Sequence, residues 1–122
     1  MSWDTHSFEG IEEVLVTMKK NGTITQGTHE NLAAKIAANK EVAVGTANTP
    51  LAGKIMAING DDISVQVKGF MTLPYTGTAP TVGQYNKLEC AASGEVQVDA
   101  SNGHPFLVFN VDTTNTKVTI LM

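Results

Sequence analysis

The sequence predicts an all-β fold: a small antiparallel β-barrel or β-tulip-like domain, preceded by an extended N-terminal arm. Three observations carry this. Apolar residues recur with a period of two along most of the chain, the mark of half-buried strands. Eleven glycines fall almost entirely between those runs. The runs are short, roughly 8–12 residues apart, with turn residues between them, as in sandwiches and barrels.

The elements follow in order. In EEVLVTM, Val14, Val16 and Met18 share one face and Leu15 takes the other. Asn21-Gly22 then reads as a hairpin signal, because Asn-Gly tolerates positive φ at both central positions of a type I′ turn. ENLAAKIAANK, residues 30–40, pulls two ways. Leu32 and Ile36 stand one helical turn apart among alanines, which suits a short helix. Asn39-Lys40 taken as a tight turn instead divides the segment into a strand AAKIA and a strand EVAVG. GKIMAING is apolar through Ile55, Met56 and Ile58 and ends in a second pair, Asn59-Gly60. ISVQVKG alternates most cleanly, with Ile63, Val65 and Val67 on one side and Ser64, Gln66 and Lys68 on the other.

LPYTGTAPTVGQYNKLEC carries Pro74, Gly77, Pro80 and Gly83 within ten residues. It reads as a structural joint that turns the chain without a long flexible loop, rather than as a cradle for a ligand. EVQVDA groups Val96 with Val98. Asn102-Gly103, close to Pro105, reads as a longer loop. FLVFNVD begins apolar on both faces and reads as a central strand. KVTILM groups Val118, Ile120 and Met122. The expected core is Val14, Ile63, Val65, Val67, Phe106, Val108 and Ile120. The expected organisation is an arm over residues 1–10 and one β domain over residues 11–122.

Composition narrows the function. With 122 residues, 42% of them hydrophobic, the chain is long enough for one domain with a core. The net charge is −4 and all eight basic residues are lysines. Arginine is the usual residue for bidentate phosphate and guanine contacts, and phosphate neutralisation supplies most nucleic-acid affinity, so no nucleic acid is expected as partner. The same charge argument disfavours a membrane surface, and no apolar run approaches the ~20 residues of a membrane span. Cys90 is the single cysteine, which excludes an intrachain disulfide and a zinc site built on several cysteines. The start, MSWDTHSFEG, lacks the basic and apolar regions of a secretory signal, so a mature chain beginning there is expected.

Chemistry-bearing patterns are sparse. His6, His29 and His104 have no partner at metal-ligand spacing, and Asp61-Asp62 lacks the alternating oxygens of a calcium loop. Cys90 reads as a buried small hydrophobe. The serines sit in no Gly-x-Ser-x-Gly elbow. Met18-Lys19-Lys20 lacks the second methionine of a biotin-carrier tip. No catalytic residue, metal or cofactor is therefore expected, and the protein reads as a binding or structural one rather than an enzyme.

The stretch VQVKGFMTLPYTGTAPTVGQYNKLECAASGEVQVDA resembles the small head decoration proteins of tailed bacteriophages, also called capsid cement proteins. In that family a strand ends in glycine, a short strand follows, then a Gly- and Pro-rich loop, a strand and a glycine turn. Val65-Gln66-Val67, Gly69, Leu73, Gly83, Leu88 and Gly94 stand at the matching positions. KIAANKEVAVG, GKIMAI and FLVFNVDTTNTKVTILM look like members encoded in prophages of Gram-positive bacteria. The resemblance covers roughly residues 14–122; Gln84 departs from it, where glycine is expected beside the aromatic. It implies a compact β-barrel or β-tulip on the exterior of an assembled capsid, made in the host bacterial cytoplasm. There it clamps neighbouring major capsid protein subunits, often as a homotrimer, though monomeric members exist. It also favours strand over helix for residues 34–38. The rival reading is a receptor- or glycan-binding β module of a phage tail or cell surface.

The candidate partner-binding residues are Trp3, His6 and Phe8 of the arm, with Tyr75 and Tyr85 beside the Gly- and Pro-rich loop. A polar arm without periodicity cannot bury its own aromatics, so it is expected to be mobile when free. Trp3 and Phe8 either dock into apolar pockets of a capsid subunit or neighbouring copy, or cover the end of the barrel.

Overall fold

A computed structural model describes residues 13–122 of the protein. Among them, β1 (Val14–Lys20), β2 (Ala33–Ala38), β3 (Glu41–Val44), β4 (Gly53–Asn59) and β5 (Asp62–Lys68) close into a barrel in the order β1-β3-β2-β4-β5. Next come β6 (Phe70–Pro74), β7 (Tyr85–Cys90), β8 (Val96–Val98), β9 (His104–Asp112) and β10 (Lys117–Leu121). They make a five-stranded sheet in the order β6-β10-β9-β7-β8. Strand pairing is antiparallel except where β1 meets β3 at Lys19↔Glu41 and Lys20↔Val42. A parallel bridge between Tyr75 and Val96 brings the end of β6 to β8 and curls the second sheet toward closure. The all-β, barrel-based expectation holds, with a second sheet beside the barrel.

Each sheet wraps its own core. Ile55, Ile63 and Val65 fill the barrel; Leu73, Leu88, Val108 and Ile120 fill the second sheet. β2 serves both, because successive residues of a strand face opposite ways: Ala33 belongs to the core of the second sheet and Ala34 to that of the barrel. Of the expected core, Ile63, Val65, Phe106, Val108 and Ile120 are buried. Val67 is half-buried against the barrel core, and Val14 is half-buried without joining either cluster.

Residues 33–38 form a strand despite their helical propensity, because β3 pairs with β2 from Ala34↔Val44 to Ala38↔Glu41 and overrides the local preference. Asn39 and Lys40 make the turn. Asn21-Gly22 does not form a hairpin. β1 pairs along its length with β5, and the Asn21 N–H instead donates to Val42 O at 2.8 Å. Asn59-Gly60 does lie at a hairpin, but one place out of register. Asn59 pairs with Asp62, so the two loop residues are Gly60 and Asp61. Gly60 takes φ +62° ahead of Asp61, which does not, as a first-position glycine does in a type II′ turn.

Two alternations break. A register shift between Val14 and Leu15 against β5 leaves Leu15 and Val16 both exposed. Gln66, expected to face solvent, is 2% exposed. Its Nε2 donates to Lys68 O at 3.1 Å and Phe70 O at 2.8 Å, holding the crossover from barrel to second sheet. Gly69 makes that crossover at φ +102°, a conformation open to glycine. Gly69 and Met122 exchange backbone hydrogen bonds of 3.2 and 3.0 Å there. On the opposite flank Cys90 bridges to Thr49, its N–H donating to Thr49 O at 2.8 Å.

The later turns are closed by carboxylates. Asp99 Oδ1 accepts from the Ser101 and Asn102 N–H groups, and Asp112 Oδ1 from those of Thr114 and Asn115. The Asn102 and Ser101 amides hold Asp99 below its usual carboxylate range. Asp112 is held down by the Asn115 side chain, which donates to Oδ2, and by the Asn115 amide. A carboxyl held low in the folded state stabilises it fully above the unfolded pKa, ~3.9. That contribution is lost as pH falls through the folded value. The melting temperature is therefore expected to drop on acidification below about pH 4. Asp99→Asn and Asp112→Asn together are expected to make that drop shallower in thermal scans across pH; an identical pH profile would reject these turns as a source of acid sensitivity.

Candidate functional site

The side chains read as chemically inert in the sequence are placed as follows. Among the described residues, no three His, Cys, Asp or Glu groups converge to hold a metal ion. His29 Nδ1 accepts from the Thr25 N–H at 2.8 Å and braces its own turn. His104 is exposed at the start of β9, its ring edge-on to Phe106 at 5.1 Å. Cys90 is fully buried, and burial pushes its thiol pKa up, away from thiolate chemistry.

The distinctive surface lies on the outer face of the second sheet. Direct cross-strand partners share a face. Tyr85 on β7 pairs with Leu107 on β9, Leu107 with Leu121 on β10, and Leu121 with Phe70 on β6. One apolar row thus crosses four strands. Phe109 extends it by a bulge. Asn110 pairs with Thr119 and Val108 with Ile120, so Phe109 is the extra residue, and it and Asn110 both face outward. Its ring meets Phe70 edge-on at 5.1 Å. Tyr85 is 74% exposed and Phe109 48%. Thr72 and Thr119 share a 2.8 Å hydroxyl hydrogen bond on the same face.

Of the residues singled out in the sequence, Tyr85 lies at one end of this row. Tyr75 does not join it. Met71, Leu73 and Tyr75 alternate inward along β6, and Tyr75 is 5% exposed within the core, so its ring is not presented to a partner. The two tyrosines form no common stacking platform. Trp3, His6 and Phe8 lie outside the described residues. Sequence reading missed Phe70, Leu107 and Phe109. The signal for Leu107 and Phe109 was present in FLVFNVD, whose two apolar faces imply one covered inside and one left outside; Phe70 had no such signal.

The Gly- and Pro-rich segment connects β6 to β7. Asn86 stitches it down: Nδ2 donates to Thr81 O at 2.9 Å and Gln84 O at 3.1 Å, and Oδ1 accepts from the Thr81 N–H at 3.1 Å. The Gly83 N–H donates to Val108 O at 2.8 Å, which seats the joint against β9 beneath Tyr85.

No protein-family description matches the chain, and no curated protein matches it. Among solved structures, a chain from "The capsid of Myoviridae Phage XM1" shares its fold, with a TM-score of 0.58 and 10% sequence identity. The match covers 91% of this chain and 83% of that one. The chain is thus an all-β protein with the fold of a chain found in a phage capsid structure.

Proposed function

We propose that this protein is a structural component of a phage virion. It binds the exterior of the assembled capsid and stabilises contacts between major capsid protein subunits, without catalysis. The observation that carries this is the fold shared over 91% of the chain with a chain from a phage capsid. The sequence resemblance to head decoration proteins points to the same role. The apolar row from Tyr85 to Phe70, with Phe109 beside Phe70, supplies a contact surface with aromatics at both ends, leucines between them and the Thr72–Thr119 pair on the same face. Its acidic, arginine-free composition fits a protein partner better than nucleic acid. A homotrimer at a local symmetry axis is the assembly this reading favours.

The test is co-sedimentation of the protein with empty capsids of its own phage. Wild type is expected to pellet with them. Tyr85→Ala and Phe109→Ala are each expected to weaken binding by roughly 2 kcal/mol, about 30-fold in Kd, with the circular dichroism spectrum unchanged. Wild-type protein that stays in the supernatant with capsids but binds cell-wall glycan would overturn the reading in favour of a glycan-binding module.

A further inference from the structure

The chain holds three Asn-Gly pairs, Asn21-Gly22, Asn59-Gly60 and Asn102-Gly103. Such a pair has a chemistry of its own. The glycine amide nitrogen, once deprotonated, can attack the asparagine side-chain carbonyl carbon, because glycine has no Cβ to hinder the approach. The attack needs an amide N–H that is not held in another bond and a peptide plane that can rotate toward the side chain. The fold grants both to one pair and withholds them from the other two.

Asn102-Gly103 is restrained twice. The Gly103 N–H donates to Asp99 O at 2.9 Å, and Gly103 is packed so closely that an added Cβ would lie 2.6 Å from the Lys87 carbonyl carbon. Asn59-Gly60 is restrained by its hairpin. Asn59 pairs with Asp62, so the peptide joining Asn59 to Gly60 is part of a two-residue turn and rotates only if the turn opens. Asn21-Gly22 meets both conditions. Both residues are exposed, nothing lies within 4 Å of a Cβ built on Gly22, and the Gly22 N–H finds no acceptor among the described residues. β1 has ended at Lys20, and the next strand begins only at Ala33. Asn21 is tied upstream of the reacting peptide, through its N–H to Val42 O at 2.8 Å, and at its tip, where Nδ2 donates to Glu41 Oε1 at 2.8 Å. The second bond is exposed to solvent and holds the side chain weakly.

We infer that Asn21 is a site of spontaneous modification, converting to aspartate and isoaspartate as the folded protein ages. Solvent base takes the Gly22 amide proton, and the nitrogen bonds to Asn21 Cγ. The Cγ–Nδ2 bond breaks, and Nδ2 takes up one proton and leaves as ammonia. Water then opens the resulting succinimide ring at either carbonyl. The consequence falls where β1 meets β3. The donor to Glu41 becomes a carboxylate facing a carboxylate, and Lys19 and Lys20 are already paired with Asp62 and Asp61. Isoaspartate also lengthens the backbone by a carbon beside the hydrogen bond from Asn21 to Val42. Both changes loosen the short junction, Lys19↔Glu41 and Lys20↔Val42, that joins β1 to β3 in the closed barrel. The inference does not depend on capsid binding.

The test ages the full-length protein in mildly alkaline buffer, where the base-dependent attack is faster. Each Asn-Gly peptide is followed by mass spectrometry, with isoaspartyl methyltransferase labelling as a second readout. A sample unfolded in guanidinium is aged beside it. In the unfolded chain the three pairs are expected to convert at similar rates. In the folded protein Asn21 is expected to convert several-fold faster than Asn59 and Asn102. Asn21→Asp is expected to lower the denaturation midpoint, and adding Glu41→Gln to restore most of the loss. Folded protein in which Asn21 stays intact, or in which Asn59 or Asn102 converts as fast, overturns the inference. A midpoint of Asn21→Asp equal to wild type overturns the consequence assigned to the β1–β3 junction.

Discussion

Val65→Asp is expected to abolish folding. Val65 is fully buried on β5, the strand that pairs with both β1 and β4: it stands opposite Val16 on one side and Ile55 on the other. Its side chain lies in the barrel core in an apolar cluster with Ile55 and Ile63. A carboxylate there either stays charged without a partner or takes up a proton and remains an unsatisfied polar group, and the valine's own packing is lost in both cases. Such a change costs several kcal/mol, against a total stability of about 5–15 kcal/mol for a domain. The check is urea denaturation followed by circular dichroism. The variant is expected to show no cooperative transition, or a midpoint far below wild type; an unchanged midpoint would reject the assignment of β5 as the central barrel strand.

Gly53→Val is expected to be the most damaging glycine substitution among the described residues. Gly53 opens β4 opposite Ala34. A Cβ there would lie 2.2 Å from Gln66 O and 2.9 Å from Val65 Cγ1. The first obstacle is backbone of the neighbouring strand, so relief requires β4 and β5 to move apart and surrender pairs such as Lys54↔Gln66. Overpacking costs about 1–3 kcal/mol where side chains can adjust, and more where they cannot. Gly53→Val is placed in the second class, and Gly53→Ala, which adds only the clashing Cβ, tests the same contact. Gly77→Ala is the control: its positive φ of +75° strains alanine, but nothing lies within 4 Å of the added carbon, so a loss of about 1 kcal/mol is expected. Equal denaturation midpoints for the two alanine variants would show that the approach of β5 to Gly53 does not limit stability.

The fold was largely legible because its strands obey period two, and Ile63, Val65, Val108 and Ile120 point inward as their alternation requires. Pairing was less legible. Asn21-Gly22 has the composition of a hairpin turn, yet β1 finds its partner more than forty residues later in β5, and no local signal carries that distance. Gln66 escaped for a similar reason. In isolation it occupies the polar side of an alternating strand; only the second sheet, arriving through Gly69 and Phe70, covers it. The surface row was half legible. FLVFNVD announced two apolar faces, but the bulge that sets Phe109 beside Phe70 depends on the register of β9 against β10. Tyr75 and Tyr85 looked equivalent as flanking aromatics, and strand parity separated them, one into the core and one to solvent.

Ala33 and Ala34 have a consequence for how the molecule comes apart. One core closes over the first and the other core over the second, so the strand that carries them is a party wall between two rooms. Peeling away either half exposes one side of that wall and removes support from the other half. Neither half is then expected to persist as a stable remnant, and a single melting transition is expected, as in small cooperative domains. The amide protons of Ala33 and Ala34 are accordingly expected to be among the slowest to exchange, which native-state hydrogen exchange would check. A half-open species with a bare sheet, the usual seed of aggregation, is then expected not to accumulate.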